Sequence, residues 1–567
     1  MRHEVRSLTP RQRPPHRRRC LLQVLLGLVQ ESSRTSDRRD TVANQVPRKK
    51  VTSSTSRGAR SRRTNTGASG QGKPAPELVF GLVGAVGTDL DAVRDALETS
   101  LARFGYSSQR IRVSDLMREF EAGALEQLPA DQRIKQGMVR GTEFRKKVGK
   151  GDALVGLIVE RIVRLRGSQT PRESQAYIIR SLKNPAEVHR LRRIYRDHFL
   201  CVGVYSPRST RVASLADQIA YSRGGRASDY RASAEELVQR DEKELGTKLG
   251  QDVRDAFPLA DFFVNSADVN RLDGAIERFL DLLFGHPFLT PTRDEFGMFH
   301  ARAAALRSAA LSRQVGASIC NDAGDLVALG MNEVPKATGG HYWTDDVNDT
   351  RDFKRGHDQN DRTKETIVLE IFAQLKAEGW LSRSYQSKST EELARRSAQS
   401  GLLKDTILSG LTEFGREVHA EMSAITAAAR LGVSTRGNAM YVTTFPCHNC
   451  AKHIIASGIC RVVYIEPYPK SFAAEFHSDS LAMDADAKTS DDSVGLQPFQ
   501  GVAPRRYMQW FQWDNRKEGG LAVPWAASKA VPRFLELGQF DESYRDREDE
   551  HLAEFGKDLR KFGLQAR

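Results

Sequence analysis

Hydrophobic positions first gather at residues 77–83, Glu-Leu-Val-Phe-Gly-Leu-Val, after a long N-terminal stretch with almost no periodicity. A short apolar run bounded by turn residues reads as a buried strand. A turn containing Gly84 and Gly87 follows, and from Asp89 to Phe104 the pattern is helical. Strand, glycine turn and helix in that order open a nucleotide-binding α/β domain. Runs at Gly151–Leu157, Ala176–Ile179 and Phe199–Tyr205 predict further strands separated by helices, as in a parallel sheet. Ala232–Asp255 reads as helices, Ala260–Val264 as a last short strand, and Val269–Phe284 as a closing helix. The Pro287–Pro291 stretch reads as a linker.

A second pattern begins with a helix over Glu295–Ser312, then a hairpin of Ala317–Cys320 and Asp325–Leu329 joined by Asn-Asp-Ala-Gly. Residues 341–410 are polar and charged, an insertion with some helix. Helix Glu417–Leu431, strand Ala439–Thr444, helix Cys447–Ser457 and strand Arg461–Ile465 follow. The segment after Tyr507, with Trp510, Trp513 and Trp525, is expected to be ordered and then polar towards its end. The fold class is therefore α/β, in two parts. The expected division is a basic disordered tail (1–75), a parallel-sheet domain (76–286), a second domain (292–515) and a C-terminal extension (516–567).

Charge changes the picture of the tail only. The chain of 567 residues carries a net charge of +14, and residues 1–73, with 18 Lys+Arg against 4 Asp+Glu, account for all of it. The body holds 68 residues of each sign. A protein gripping a phosphate backbone needs a basic surface where it grips, so a polynucleotide substrate is disfavoured. The apolar stretch Leu21–Val29 is about half the length a bilayer requires. Basic residues precede it as in a secretory signal, but no small-residue cleavage site follows. Six cysteines suggest no disulfide framework in a chain this long. A cytoplasmic, membrane-free protein is expected.

Candidate chemistry lies in His419-Ala-Glu421 and Pro446-Cys447-His448-Asn449-Cys450. One imidazole and two thiolates make three protein ligands for Zn2+ and leave the fourth position to water, the mark of a catalytic rather than a structural zinc. This pair of motifs is the signature of a zinc-dependent base deaminase, with Glu421 as proton carrier rather than ligand. Both motifs are expected at helix N-termini, where the dipole favours anionic sulfur. A Cys-x-x-Cys alone could equally be a redox pair or half of a structural site. His448 and His453 read as neighbours, and Cys320 and Cys460 as core residues at strand ends. Asp345, Asp346, Asp349, Asp352, Asp358 and Asp361 mark either a second metal or regulatory nucleotide site, or a solvated acidic loop.

With these pieces in place, residues 295–470 resemble the deoxycytidylate-deaminase branch of the cytidine deaminase superfamily. The matching segments are the two metal motifs and Gly330-Met-Asn332-Glu333-Val-Pro335. The whole chain resembles two-part bacterial antiphage deaminases. In these a P-loop-kinase-like domain precedes a three-layer α/β/α deaminase that destroys deoxycytidine nucleotides; Ser181–Val188 and Gly250–Phe257 are similar to pieces of the first. The resemblance implies loss of ammonia from free dCTP or dCMP, a sugar contact for Asn332, a homo-oligomer, and a regulatory nucleotide, RNA or protein partner at the first domain.

The phosphate loop departs from its pattern. Where related kinases carry Gly-x-x-x-x-Gly-Lys-Ser/Thr, this chain has Gly84-Ala-Val-Gly87-Thr88-Asp89-Leu90-Asp91. The phosphate-reaching lysine and the magnesium-binding hydroxyl are missing. Gly84, Gly87 and Thr88 remain as candidate ligand contacts, and phosphoryl transfer is not expected. Two other readings compete: a single-stranded DNA or RNA cytidine deaminase tethered by the basic tail, and a housekeeping dCMP deaminase. A non-catalytic binding protein with structural zinc is a third.

Overall fold

The computed structural model describes residues 76–120, 127–167, 174–242, 249–399, 403, 406–466, 471–484, 492–533 and 543–563. The expected basic tail, residues 1–75, lies outside them. Residues 72–567 form one compact unit.

Two six-stranded sheets organise it. The first is built from β1 (Leu78–Val83), β2 (Ser107–Arg112), β3 (Gln175–Leu182), β4 (Phe199–Tyr205) and β5 (Phe262–Asn265), in the order β2–β3–β1–β4–β5. All five are parallel, with Leu78 opposite Ala176 and Val79 opposite Phe199. Every residue of β1 and β4 is buried, as expected of strands covered on both faces. The second comprises β6 (Gly316–Cys320), β7 (Leu326–Met331), β8 (Ala439–Val442), β9 (Arg461–Tyr464), β10 (Leu481–Met483) and β11 (Val494–Pro498), in the order β7–β6–β8–β9–β11–β10. The β6–β7 hairpin and the β6–β8 pair are antiparallel, and the rest are parallel. The fold is thus mixed α/β with parallel sheets.

Three expectations need correction. Gly151–Leu157 is not a strand: helix Ala153–Arg166 covers it, and all seven residues from Ala153 to Val159 are buried. A continuous apolar run cannot be told from a buried helix by periodicity. Here a second helix, Tyr544–Lys561, lies over it so closely that a Cβ on Gly156 would come within 2.3 Å of the Phe555 ring. The helix expected over Glu295–Ser312 runs from Arg293 to Ala305. Beyond it, the Ala309 amide donates to Glu333 Oε2 at 2.8 Å and Gln314 Nε2 donates to the Ser308 carbonyl at 2.8 Å, so tertiary partners replace helical ones. Cys320 is buried as expected, but Cys460 is exposed, its thiol donating to the Gly437 carbonyl at 3.1 Å.

The two sheets are joined at several points. A short strand, β12 (Gly501–Val502), leaves the second sheet and pairs antiparallel with β5, putting Val502 opposite Phe262. Asp261, fully buried at the head of β5, receives Arg192, Arg505 and Arg506 at 3.0–3.1 Å and the Cys201 amide at 2.8 Å. Tyr205, at the end of β4, donates its hydroxyl to Asp484, just past β10. One apolar cluster contains Val79 and Ile179 from the first sheet and Met298, Tyr441 and Val463 from the second region. The C-terminal helix returns to the first: Arg166 is buried between Glu77, at 2.9 Å, and Glu548, at 2.7 Å.

Candidate metal centre

Two helix starts converge. His419 is the N-cap of helix Ala420–Leu431, and Glu421 lies in its first turn. Cys447 is the N-cap of helix His448–Ala456, with Cys450 in its first turn. These helix positions agree with the expectation from sequence. Close backbone packing brings the first helix to the sheet. A Cβ on Gly330 of β7 would lie 2.1 Å from the Ala420 carbonyl oxygen, so no side chain fits there. Immediately beyond, Glu333 and Val418 exchange backbone hydrogen bonds at 3.3 and 3.0 Å, zipping the segment after β7 to the residue before His419.

His419, Cys447 and Cys450 offer ligand atoms that all lie within 4.8 Å of one another, the only such metal-capable group among the described residues. His419 Nδ1 lies 3.3 Å from Cys447 Sγ and 3.4 Å from Cys450 Sγ. His448 and His453 stand outside the group. Its electrostatics are those of a site that holds anionic sulfur. The hydrogen bond from Cys450, outweighing burial, draws the Cys447 thiol down to about 4, and the Cys447 contact lifts His419 to about 9. Cys450 is pushed up by its bond to Cys447 and by burial. A nitrogen and two sulfurs suit zinc, and a bound dication would hold both thiols deprotonated. Glu421 is buried, and burial followed by the negative charge of Cys447 raises its carboxyl to about 7.

Asn332 directly follows β7, and its amide is engaged by the chain itself. Oδ1 accepts from the Val315 amide and Nδ2 donates to the Arg313 carbonyl, both at 2.7 Å. Gly84, Gly87 and Thr88 lie far along the chain in the first sheet's loop and take no part in the group. Three members of the acidic run are ion-paired: Asp346 with Lys336, Asp349 with Arg351 at 2.8 Å, and Asp352 with Arg416. Asp358 caps helix Gln359–Ala377 through the Asp361 amide at 2.9 Å.

Two groups beside the centre had no signal in the sequence. Glu413, near the end of the polar insertion, places Oε1 3.3 Å from His448 Nε2 and 3.2 Å from Asn449 Nδ2. Phe472 and Phe476, stacked at 5.4 Å, present their rings to His448. A lone glutamate in a polar stretch and two phenylalanines downstream carry no spacing rule that would link them to Cys447.

Residues 291–466 match the family described as the cytidine and deoxycytidylate deaminase zinc-binding region. The C-terminal part of the chain therefore carries a deaminase-family domain. A deoxycytidylate deaminase of Enterobacteria phage T4 is 54% identical over 102 residues, covering 18% of this chain and 46% of the phage protein. ComE operon protein 2 of Bacillus subtilis (strain 168) is 49% identical over 53 residues, 9% of this chain and 28% of its own. The chain thus spans about half or less of these relatives' lengths. Among solved structures, a dCMP deaminase from the cyanophage S-TIM5, seen alone and in complex with dCMP and dUMP, matches at 16% identity. The match covers 37% of this chain and all of that one, with a TM-score of 0.20, too loose a superposition to bear on the fold.

Proposed function

We propose that the chain hydrolyses the exocyclic amine of free deoxycytidine nucleotides, dCMP or dCTP, giving the deoxyuridine nucleotide and ammonia. The observation that carries this is the convergence of His419, Cys447 and Cys450 beside a buried carboxyl, Glu421. These three residues would hold zinc, which, when bound, supplies the Lewis acidity that makes water nucleophilic near neutral pH.

The remaining chemistry belongs to Glu421. Ionised, it accepts a proton from the attacking water and delivers it to the ring nitrogen; ionised again, it takes the second proton, from the hydroxyl now on the ring carbon, and passes it to the departing amine as the carbonyl forms. A carboxyl raised towards neutrality can do both, whereas one at its ordinary value would hold the proton too weakly. Its burial, which excludes solvent, raises it. Asn332 holds Arg313 and Val315 in place through its two backbone bonds. A second lone pair on Oδ1 remains for a substrate hydroxyl.

The finer reading, consumption of the deoxycytidine nucleotide pool in antiphage defence, is supported by the pairing of this centre with an N-terminal parallel sheet. The neutral body supports a free nucleotide over a polynucleotide. Zinc-loaded protein is to be offered dCMP, dCTP, CTP, cytidine and a cytosine-containing oligonucleotide, with ammonia and uracil products measured. Turnover of dCMP or dCTP is expected, lost on chelation and restored by zinc; turnover of none removes the proposal. Nucleotide pools in expressing cells, with and without phage, test the defence role.

A further inference from the structure

The loop between β1 and helix Leu90–Ala102 has the form of an anion cradle, and the chain has filled it with a carboxylate of its own. Asp241, on helix Arg231–Glu242, is 1% exposed. Its Oδ2 accepts from the Val86 amide at 2.6 Å and from Lys183 Nζ at 2.9 Å. Lys183 also donates to the Gly84 carbonyl at 2.8 Å, so one ammonium ties the loop to its occupant. Gly87 gives the loop its shape: its φ is +83°, and a Cβ there would lie 2.6 Å from the Arg211 carbonyl oxygen. The lysine missing from the loop's own sequence thus arrives from the segment after β3.

Asp241 is an imperfect occupant. Its Oδ1 is buried without a hydrogen-bond partner among the described residues, and so is the hydroxyl of Thr88, which is 7% exposed. A half-satisfied buried charge is costly. A phosphate group brings more acceptor oxygens to the same donors and suits a lysine and a backbone amide as well as a carboxylate does. Entry requires Asp241 to leave. The neighbouring Glu242, paired with Arg211 at 2.8 Å, would be disturbed with it.

We propose that this loop is a phosphate-binding site held shut by Asp241, and that a phosphate-bearing ligand enters by displacing helix Arg231–Glu242. The site is independent of the deaminase chemistry. Apparent affinity is reduced by the fraction of molecules in which the site is open, so removing the plug unmasks it.

The test uses full-length protein with pyrophosphate as the probe, followed by calorimetry. Asp241→Ala should bind at least about ten-fold more tightly than the unaltered chain, and adding Lys183→Met should cancel the gain. No gain, or a gain that survives Lys183→Met, overturns the proposal. Should Asp241→Ala not fold, hydrogen exchange on the unaltered chain decides. Saturating pyrophosphate should speed exchange in residues 231–242 and slow it in 84–88; unchanged exchange in both overturns it.

Discussion

Asn332 illustrates how one side chain can be read correctly for place and incompletely for work. Its position after the hairpin was legible from the Gly330–Pro335 segment, but its amide is spent on backbone groups of residues 313 and 315. No sequence pattern predicts a bond to a backbone seventeen residues back. Asn332→Ala leaves a buried donor and acceptor unpaired and should cost about 1–3 kcal/mol, read as a lower urea midpoint with unchanged slope. If Asn332 also meets the sugar, KM for dCMP rises in the same variant. His419, Cys447 and Cys450, which the fold brings together, stood out in the sequence because His-x-Glu and Cys-x-x-Cys each obey a short, local spacing. Glu413 did not, because its contact with His448 reaches across 35 residues that include helix Ala420–Leu431 and β8.

Helices and strands were legible where burial is one-sided or continuous and the local context agrees, as in β1, β4 and helix Ala420–Leu431. Helix Ala153–Arg166 failed the reading because the C-terminal helix covers the face that would otherwise have shown polar residues. β2, with the sequence Ser-Ser-Gln-Arg-Ile-Arg, is a polar edge strand that only its neighbour β3 reveals. The contact of β7 with the helix bearing His419 is the element on which the centre depends. Gly330→Ala would force the Ala420 carbonyl away and should cost about 1–3 kcal/mol of overpacking. Because His419 is the cap of that same helix, zinc affinity should fall with stability. Equilibrium competition with a chromogenic chelator measures the first, and an affinity equal to that of the unaltered chain would show that the helix start is not set by this packing.

Joining of the two sheets was not legible at all, since β12, Arg505 and Arg506 reach Asp261 across more than two hundred residues. Burial pushes the Asp261 carboxyl up, but Arg506, Arg192 and Arg505 outweigh it and hold it below the usual carboxylate range. A folded-state value below the unfolded one contributes stability that is present above about pH 4 and lost as pH falls below it. Asp261→Asn should cost about 3–5 kcal/mol near neutrality, since it leaves the arginines uncompensated. The variant's stability should also fall less steeply below pH 4 than that of the unaltered chain, as urea unfolding at stepped pH would show. An equally steep fall would place the acid sensitivity elsewhere. The central claim, that a zinc held by His419, Cys447 and Cys450 works with Glu421 to deaminate a deoxycytidine nucleotide, is tested most directly by one comparison. Ammonia release from dCMP and dCTP is measured for the unaltered chain and for Glu421→Gln, each with its bound zinc quantified. The account predicts one zinc per chain in both and a loss of at least about 10²-fold in turnover for the variant; comparable turnover by a zinc-loaded Glu421→Gln protein would contradict it.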